Sequence, residues 1–173
     1  MLNPTARTWA EIDISALVHN FKVIKNTACG CKIMSVVKAN AYGHGAVEVA
    51  RVLEAAGADY LAVSSLDEAR ELRNGGIQMP ILILGHTPPE MVPQLIQYHI
   101  TQTVSAKAKA EEYQAAAVAC GGILKVHIKV DTGMGRIGFV FRHSNDESLS
   151  ELISACAFDS FIHEGIFTHF PSA

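Results

Sequence analysis

The sequence predicts an α/β fold in which helices cover a parallel β-sheet. Short apolar, β-branched runs alternate with helical patterns of about ten residues, roughly once every 20 to 40 residues. The connections between them are short, which favours parallel strands joined by helical crossovers. Of the 173 residues, 49% are hydrophobic and 18% are charged, and this balance is typical of one globular domain with a buried core.

The chain is predicted to open with a strand and a helix. Residues 8–13 alternate as a short strand does, and a helical pattern beginning at Ser15 follows, with Leu17, Phe21 and Ile24 on one face. Further strands are predicted near residues 31–37, 60–64, 80–84, 100–104, 124–130 and 162–167.

Helices are predicted between these strands from their start and stop signals. Residues 46–56 carry helically spaced valines and a leucine, and Gly57 follows as a C-cap. Ser65 and Glu68 have the spacing of a capping box, which opens a helix ending at Asn74. Later helices are expected after the pair Pro88-Pro89, over residues 105–120, and around residues 149–155.

Periodicity alone does not distinguish an open sheet from a barrel. A closed barrel needs eight parallel strands and typically about 250 residues, and the six strands after the first fall short by two. The sequence stops at Ala173, just after a predicted strand and without a closing helix. We therefore expect residues 1–173 to be the N-terminal part of a longer protein.

Charge and cysteine content exclude several functions. The formal net charge is −3, from 14 basic and 17 acidic residues without a basic cluster, so neither nucleic acid nor a membrane is expected as a partner. The four cysteines lack the spacing of a metal or redox motif, and no metal is expected. The N-terminus has no apolar signal-peptide core, which points to a cytoplasmic protein.

Lys38 lies where a reactive side chain is expected. An apolar strand pattern ends at this lysine, and a polar, glycine-containing segment leads on into a helix. Ligands bind at the carboxyl ends of parallel strands, and desolvation there makes an amine available to attack a carbonyl group. The alternative is a solvated lysine at the edge of a loop.

Arg136 lies in a second segment of this kind. Three glycines within residues 133–138 follow a predicted strand, so the backbone can bend around a ligand. A guanidinium group there can bind a phenolate, carboxylate or phosphate through paired hydrogen bonds. The alternative is a surface turn that carries a solvated arginine.

Two strings of this sequence resemble those of alanine racemases. Residues 37–45, Val-Lys-Ala-Asn-Ala-Tyr-Gly-His-Gly, resemble the pyridoxal-phosphate attachment motif of that family. Residues 129–138, Lys-Val-Asp-Thr-Gly-Met-Gly-Arg-Ile-Gly, resemble the segment that follows its fifth barrel strand. The spacing between the strings is also family-like, and the likeness extends from Trp9 through Phe170.

The resemblance implies roles for individual residues. Lys38 would hold pyridoxal 5'-phosphate as a Schiff base and serve as one of two catalytic bases, and Tyr42 would bind the cofactor phosphate. Arg136 would contact the cofactor ring oxygen and the substrate carboxylate, and His169 would pack against the pyridine ring. The residue matching Lys129 is carbamylated in some members, and the alternative is a strand lysine that pairs with Asp131 or a neighbouring acid.

The resemblance also implies an architecture and an activity. The fold would be a (β/α)8 TIM-type barrel, with about the first six βα units in residues 1–173 and no C-terminal β domain. The reaction would interconvert L- and D-alanine and supply D-alanine for peptidoglycan, in a homodimer acting on a small amino acid. The family's second base is a tyrosine of the C-terminal domain, so we expect the 173-residue chain alone to be inactive.

Three other functions share parts of this pattern. A related single-domain barrel protein binds pyridoxal phosphate without clear turnover, in a carrier or homeostasis role, but lacks the arginine loop. The barrel domains of basic amino-acid decarboxylases lack it too. A racemase for serine or another small amino acid remains open, because the residues that shape the side-chain pocket lie partly beyond Ala173.

Overall fold

The computed structural model describes residues 7–141 and 147–172 as strands alternating with helices. The helices are α1 (Ile14–Thr27), α2 (Lys38–Tyr42), α3 (Ala46–Ala56), α4 (Leu66–Asn74), α5 (Val92–Gln97), α6 (Lys107–Ala119) and α7 (Glu147–Cys156). The strands are β1 (Met34–Val36), β2 (Tyr60–Val63), β3 (Ile81–Ile83), β4 (Ile100–Val104), β5 (Leu124–Asp131), β6 (Phe139–Val140) and β7 (Phe161–Phe167).

All pairings in the sheet are parallel, as the alternation of strands and helices predicts. Six strands lie in the order β1, β2, β3, β4, β5, β7, and the short β6 pairs with the end of β5. The carboxyl ends of these strands therefore lie along one edge of the sheet. We call this line the C-terminal edge.

The sheet curls toward a barrel. The Tyr60 hydroxyl on β2 donates a 2.8 Å hydrogen bond to Glu164 on β7. These strands are four positions apart in the sheet, so they would be about 19 Å apart if it were flat. Thr101 on β4 donates to the same carboxylate oxygen, at 2.8 Å. The three side chains meet on the concave face, which requires strong curvature.

The core lies between the convex face of the sheet and the helices. Residues Ile81–Ile83 are buried on both faces, and α4 covers the sheet with Leu66, Ala69 and Leu72. Apolar positions on the strands and helices thus face each other, as the hydrophobic pattern predicts. In residues 7–141 and 147–172, no helix is long and apolar enough to cross a membrane.

Most predicted elements are confirmed, and the differences are local. Residues 8–13 form no strand, so that prediction is wrong, because an alternating segment becomes a strand only where a neighbour pairs with its backbone. The first helix begins at Ile14, capped by the Asp13 carboxylate. Strand β1 is shorter than predicted, and a 3-10 turn, Pro89–Met91, precedes α5. The two-residue β6 was not predicted.

Candidate functional site

The predicted site residues follow strands at the C-terminal edge. Lys38 follows β1, Arg136 lies in the loop between β5 and β6, and His169 follows β7. Parallel pairing places these positions on the same side of the sheet. This is the location at which parallel α/β barrels carry their catalytic groups.

Lys38 begins the short segment α2, whose backbone is a left-handed turn and not a right-handed α-helix. The residues Ala39–Tyr42 have φ values between 50° and 54°, and Gly43 continues the turn at 89°. A left-handed helical conformation costs about 1–2 kcal/mol for each residue with a Cβ atom. Four consecutive residues of this kind persist only where surrounding contacts hold them, and such strain is typical of functional sites.

Hydrogen bonds hold both ends of this turn. The amide of Ala41 donates to the Val37 carbonyl, and the amide of Gly43 donates to Ala39. The Asn40 side chain accepts a 2.7 Å bond from the amide of Ala46 at the start of α3. The motif is thus joined to the following helix through the asparagine.

The turn places the two side chains of the motif close together. The Lys38 ammonium lies 6.0 Å from the centre of the Tyr42 ring, which is near the outer limit of a cation–π contact. Lys38 is half-buried, whereas Tyr42 is 61% exposed. The half-buried Lys38 amine and the exposed Tyr42 side chain suit a ligand that has a carbon able to react with the amine and a separate polar group for the Tyr42 hydroxyl.

Glu68 on α4 contacts the same turn from the next βα unit. Its carboxylate accepts a 2.8 Å bond from the Ala39 amide and a 2.7 Å bond from the Ser64 amide. Burial raises the pKa of Glu68, but these bonds and one from the Ser64 hydroxyl outweigh it, so the pKa lies below its usual value. The carboxylate is therefore ionised at neutral pH.

The arginine loop, residues 131–138, is organised by Asp131. Its carboxylate accepts hydrogen bonds from the amides of Gly133, Gly135 and Arg136, at 2.8, 3.1 and 3.0 Å. The bonds from Gly133 and Gly135 lower the pKa of Asp131 most. The Arg136 guanidinium is exposed and has no hydrogen-bonding or ion-pair partner in the part of the chain that the structure describes.

Lys129 lies on the concave side of β5 and is 4% exposed. Its ammonium donates to the Val130 carbonyl at 3.1 Å and lies 5.2 Å from the centre of the Phe167 ring. Among the described residues its ammonium makes no ion-pair contact within 4.0 Å, although the Asp131 carboxylate interacts with it electrostatically. Burial lowers the pKa of Lys129; Asp131 opposes this shift and Arg136 adds to it. Carbamylation of Lys129 stays a prediction.

His169 is joined to the arginine loop through a neighbouring residue. The hydroxyl oxygens of Thr132 and Thr168 lie 2.7 Å apart, which connects the ends of β5 and β7. The His169 ring itself is exposed. Within the described ranges, no hydrogen bond, ion pair or ring contact joins this group to Lys38 and Tyr42, so the site consists of two parts on one edge.

Sequence reasoning missed the two carboxylates that shape these parts. Glu68 was predicted only as a helix cap, and its amide does bond the Ser65 hydroxyl, at 3.3 Å. Asp131 was considered only as a partner for Lys129. An aspartate directly before a glycine-rich loop is a signal that could have identified Asp131. The role of Glu68 depends on its contact with Ala39, 29 positions away, for which the sequence has no local signal.

The comparisons with known proteins agree with this geometry. A family profile described as alanine racemase, N-terminal domain, matches residues 12–173. This chain belongs to that family. A relative from Desulforamulus reducens, named alanine racemase, is 48% identical over 166 residues, which make up 95% of this chain and 44% of the relative. An alanine racemase from Clostridium tetani is 46% identical over 165 residues, 95% of this chain and 42% of its own.

Solved structures give the same result. An alanine racemase of Clostridium difficile 630 superposes with a TM-score of 0.88 at 46% identity, covering 96% of this chain and 43% of the solved chain. A histidine racemase from Leuconostoc mesenteroides superposes at 0.82 with 37% identity, over 91% of this chain and 41% of its own. These neighbours confirm the predicted barrel-type α/β fold. The chain spans less than half the length of these racemases.

The side chains at the C-terminal edge fit pyridoxal 5'-phosphate, the cofactor of this family. Lys38 offers a primary amine that can condense with an aldehyde, and the Arg136 guanidinium is free among the described residues to bind an anionic oxygen. The exposed Tyr42 hydroxyl can bind a phosphate, and the exposed His169 ring can contact an aromatic ring. The described residues hold no group of three or more histidines, cysteines or acids that could bind a metal ion.

Proposed function

We propose that this chain forms the cofactor-binding barrel region of a pyridoxal-phosphate-dependent alanine racemase. The observation that carries the proposal is the half-buried Lys38 at the end of β1, held by a left-handed turn at the edge where barrels place their catalytic groups. Membership of the alanine racemase family supports the reaction. The domain assignment is that residues 1–173 belong to this barrel region and that a C-terminal β domain lies outside them.

Each side chain then has a defined part. Lys38 binds the cofactor aldehyde, Tyr42 donates a hydrogen bond to the cofactor phosphate, and His169 packs against the ring. Arg136 binds the ring oxygen and orients the substrate carboxylate, a task that a planar guanidinium performs with paired hydrogen bonds. The Asp131 carboxylate sets the loop backbone from which Arg136 extends.

Racemisation requires a base on each face of the substrate Cα atom. The bound cofactor supplies an electron-withdrawing ring that makes the Cα proton acidic. The Lys38 Nζ atom would take up this proton, or return it, on one face of the Cα atom. A positioned base contributes about 10²–10⁴-fold to the rate, so losing Lys38 removes proton transfer on that face as well as the attachment point.

We further propose that the protein is a cytoplasmic homodimer that supplies D-alanine for peptidoglycan. Neither nucleic acid nor a membrane is a partner in this proposal, in keeping with the net charge of −3 and the lack of a basic cluster. The amino-acid substrate is small, and its carboxylate is the group that Arg136 would bind.

A racemase for another amino acid is the second candidate. It is favoured by the structural likeness to the histidine racemase of Leuconostoc mesenteroides, at 37% identity. Rates of racemisation of L-alanine, L-serine and L-histidine by the protein that contains this chain would distinguish the two candidates. A higher kcat/KM for serine or histidine than for alanine would replace the first proposal.

Borohydride reduction tests the assignment of Lys38. Treatment of the chain with pyridoxal phosphate and borohydride, followed by peptide mass mapping, should place a pyridoxyl group on the peptide that contains Lys38. Lys38→Ala should abolish this label, whereas Lys32→Ala, which removes an exposed lysine just before β1, should retain it. A label on another lysine, with Lys38 unmodified, would refute the assignment.

A further inference from the structure

The contact between Glu68 and the Lys38 turn is not an ordinary helix cap. A glutamate at the third position of a helix normally bonds the amide of the N-cap residue itself, which here is Ser65. Here the Ser65 amide is only one of the donors to Glu68, and one carboxylate oxygen also accepts the amide and the hydroxyl of Ser64, at 2.7 and 2.8 Å. The other oxygen leaves its own helix and accepts the amide of Ala39 at 2.8 Å.

The Ala39 amide is the one whose orientation matters most to Lys38. It belongs to the peptide group that joins Lys38 to the first left-handed residue, so fixing it fixes the backbone direction from which the lysine side chain leaves. The amides of Ala41 and Gly43 bond carbonyls of the same segment and close the turn on itself. The Glu68 bond is different, because it attaches the turn to the β2–α4 unit.

Strain in the turn gives this attachment a function. The residues Ala39–Tyr42 occupy left-handed conformations that are unfavourable for residues with a Cβ atom. A hydrogen bond to an ionised acceptor is stronger than one between neutral groups, and Glu68 accepts such a bond at Ala39, where the left-handed run begins. Without it, the peptide group after Lys38 can rotate toward ordinary conformations.

We propose that Glu68 is a positioning residue: its carboxylate attaches the left-handed turn to the β2–α4 unit and thereby directs the Lys38 amine toward the cofactor. The inference rests on the proposed function of Lys38 as the cofactor lysine. Glu68 itself touches neither cofactor nor substrate in this proposal.

Glu68→Gln tests the proposal with little change in size. Glutamine has one acceptor oxygen, and its NH₂ group cannot accept from an amide. The oxygen satisfies two donors on the Ser64 side and one on the Ala39 side, so the NH₂ group faces Ala39, whose amide loses its partner. Glu71→Gln is the matched control, because Glu71 lies on the same helix, is exposed, and has no side-chain hydrogen bond among the described residues. Circular dichroism and thermal melting establish that each variant is folded.

The first measurement needs no cofactor. Amide hydrogen exchange at Ala39, followed by nuclear magnetic resonance, should be about tenfold faster in Glu68→Gln than in the unmodified chain, as expected when a hydrogen bond to a charged group is lost. Glu71→Gln should leave the rate unchanged. Ser64→Ala, which removes the hydroxyl bond to Glu68 but keeps both amides, should give a smaller increase and serves if Glu68→Gln does not fold.

The second measurement reports on Lys38. The pyridoxal phosphate concentration at which borohydride labels half of Lys38 should rise about tenfold in Glu68→Gln and stay constant in Glu71→Gln. Faster exchange at Ala39 with unchanged labelling would overturn the positioning role, as would no change in either measurement. A lack of Lys38 label in the unmodified chain would instead refute the proposed function, and with it the role of Glu68.

Discussion

Gly138 is the position at which the arginine loop is least able to accept a side chain. Its φ is 130°, and a Cβ atom there would lie 2.7 Å from the Asp131 nitrogen and 2.8 Å from the Val130 carbonyl carbon. Both atoms belong to the backbone of β5, which pairs with β6 directly after the glycine. The clash therefore cannot be relieved by rotating a side chain, and relief requires the β5–β6 pairing to separate.

We expect Gly138→Ala to destabilise the fold more than Gly135→Ala, its matched control. Gly135 also has a positive φ, 70°, but a Cβ atom there would meet nothing within 4 Å. Both variants carry the backbone cost of about 1–2 kcal/mol, and Gly138→Ala adds about 1–3 kcal/mol for overpacking. Urea unfolding followed by circular dichroism measures the difference. Equal unfolding free energies for the two variants would show that the loop is not packed against β5 as described.

Two further predictions concern the hydrogen bonds on the concave face. Tyr60→Phe removes a donor to Glu164 and should lower the free energy of unfolding by about 1 kcal/mol, whereas Tyr98→Phe should have little effect; equal losses would contradict this. Burial raises the pKa of Glu164, but bonds from Lys125, Thr101 and Tyr60 outweigh it and hold the pKa below its usual value. The ionised Glu164 carboxylate should therefore contribute its full stabilisation of the fold above the pKa of a glutamate in the unfolded chain. This contribution should be lost as the pH falls through the lower pKa of Glu164 in the folded chain. Glu164→Gln should therefore show a smaller loss of stability on acidification than the unmodified chain in urea unfolding at a series of pH values, and an unchanged acid response would refute this.

The elements predicted best are those whose signal is entirely local. The helix over Ala46–Ala56 and its C-cap Gly57 agree with the structure, as does strand β4, Ile100–Val104. Apolar spacing and a left-handed glycine after the last turn determine such elements without reference to the rest of the chain. Residues 8–13 show the limit of this reasoning: their pattern alternates, but no described strand pairs with them and Trp9 is 63% exposed.

The site was predicted at the level of residue types and positions, but not of backbone shape. The sequence places Lys38 after a strand and Arg136 in a glycine loop, and the structure agrees. The left-handed run of Ala39–Tyr42 has no local signature, because alanine and tyrosine rarely adopt positive φ. One contact that holds it is the bond from Ala39 to Glu68, 29 positions away, and the spacing of Glu68 to Ser65 indicates only a helix cap.

The two halves of the site share one physical arrangement. In each, a carboxylate accepts backbone amides of a segment with positive φ, Glu68 at the Lys38 turn and Asp131 in the arginine loop. These bonds lie entirely within the chain, so its own carboxylates restrain the backbone that carries Lys38 and Arg136. A preformed backbone lowers the conformational entropy lost on binding, since only the side chains remain to be ordered. In the proposed function, this arrangement would leave Lys38 and Arg136 only their own side-chain bonds to order when a ligand binds.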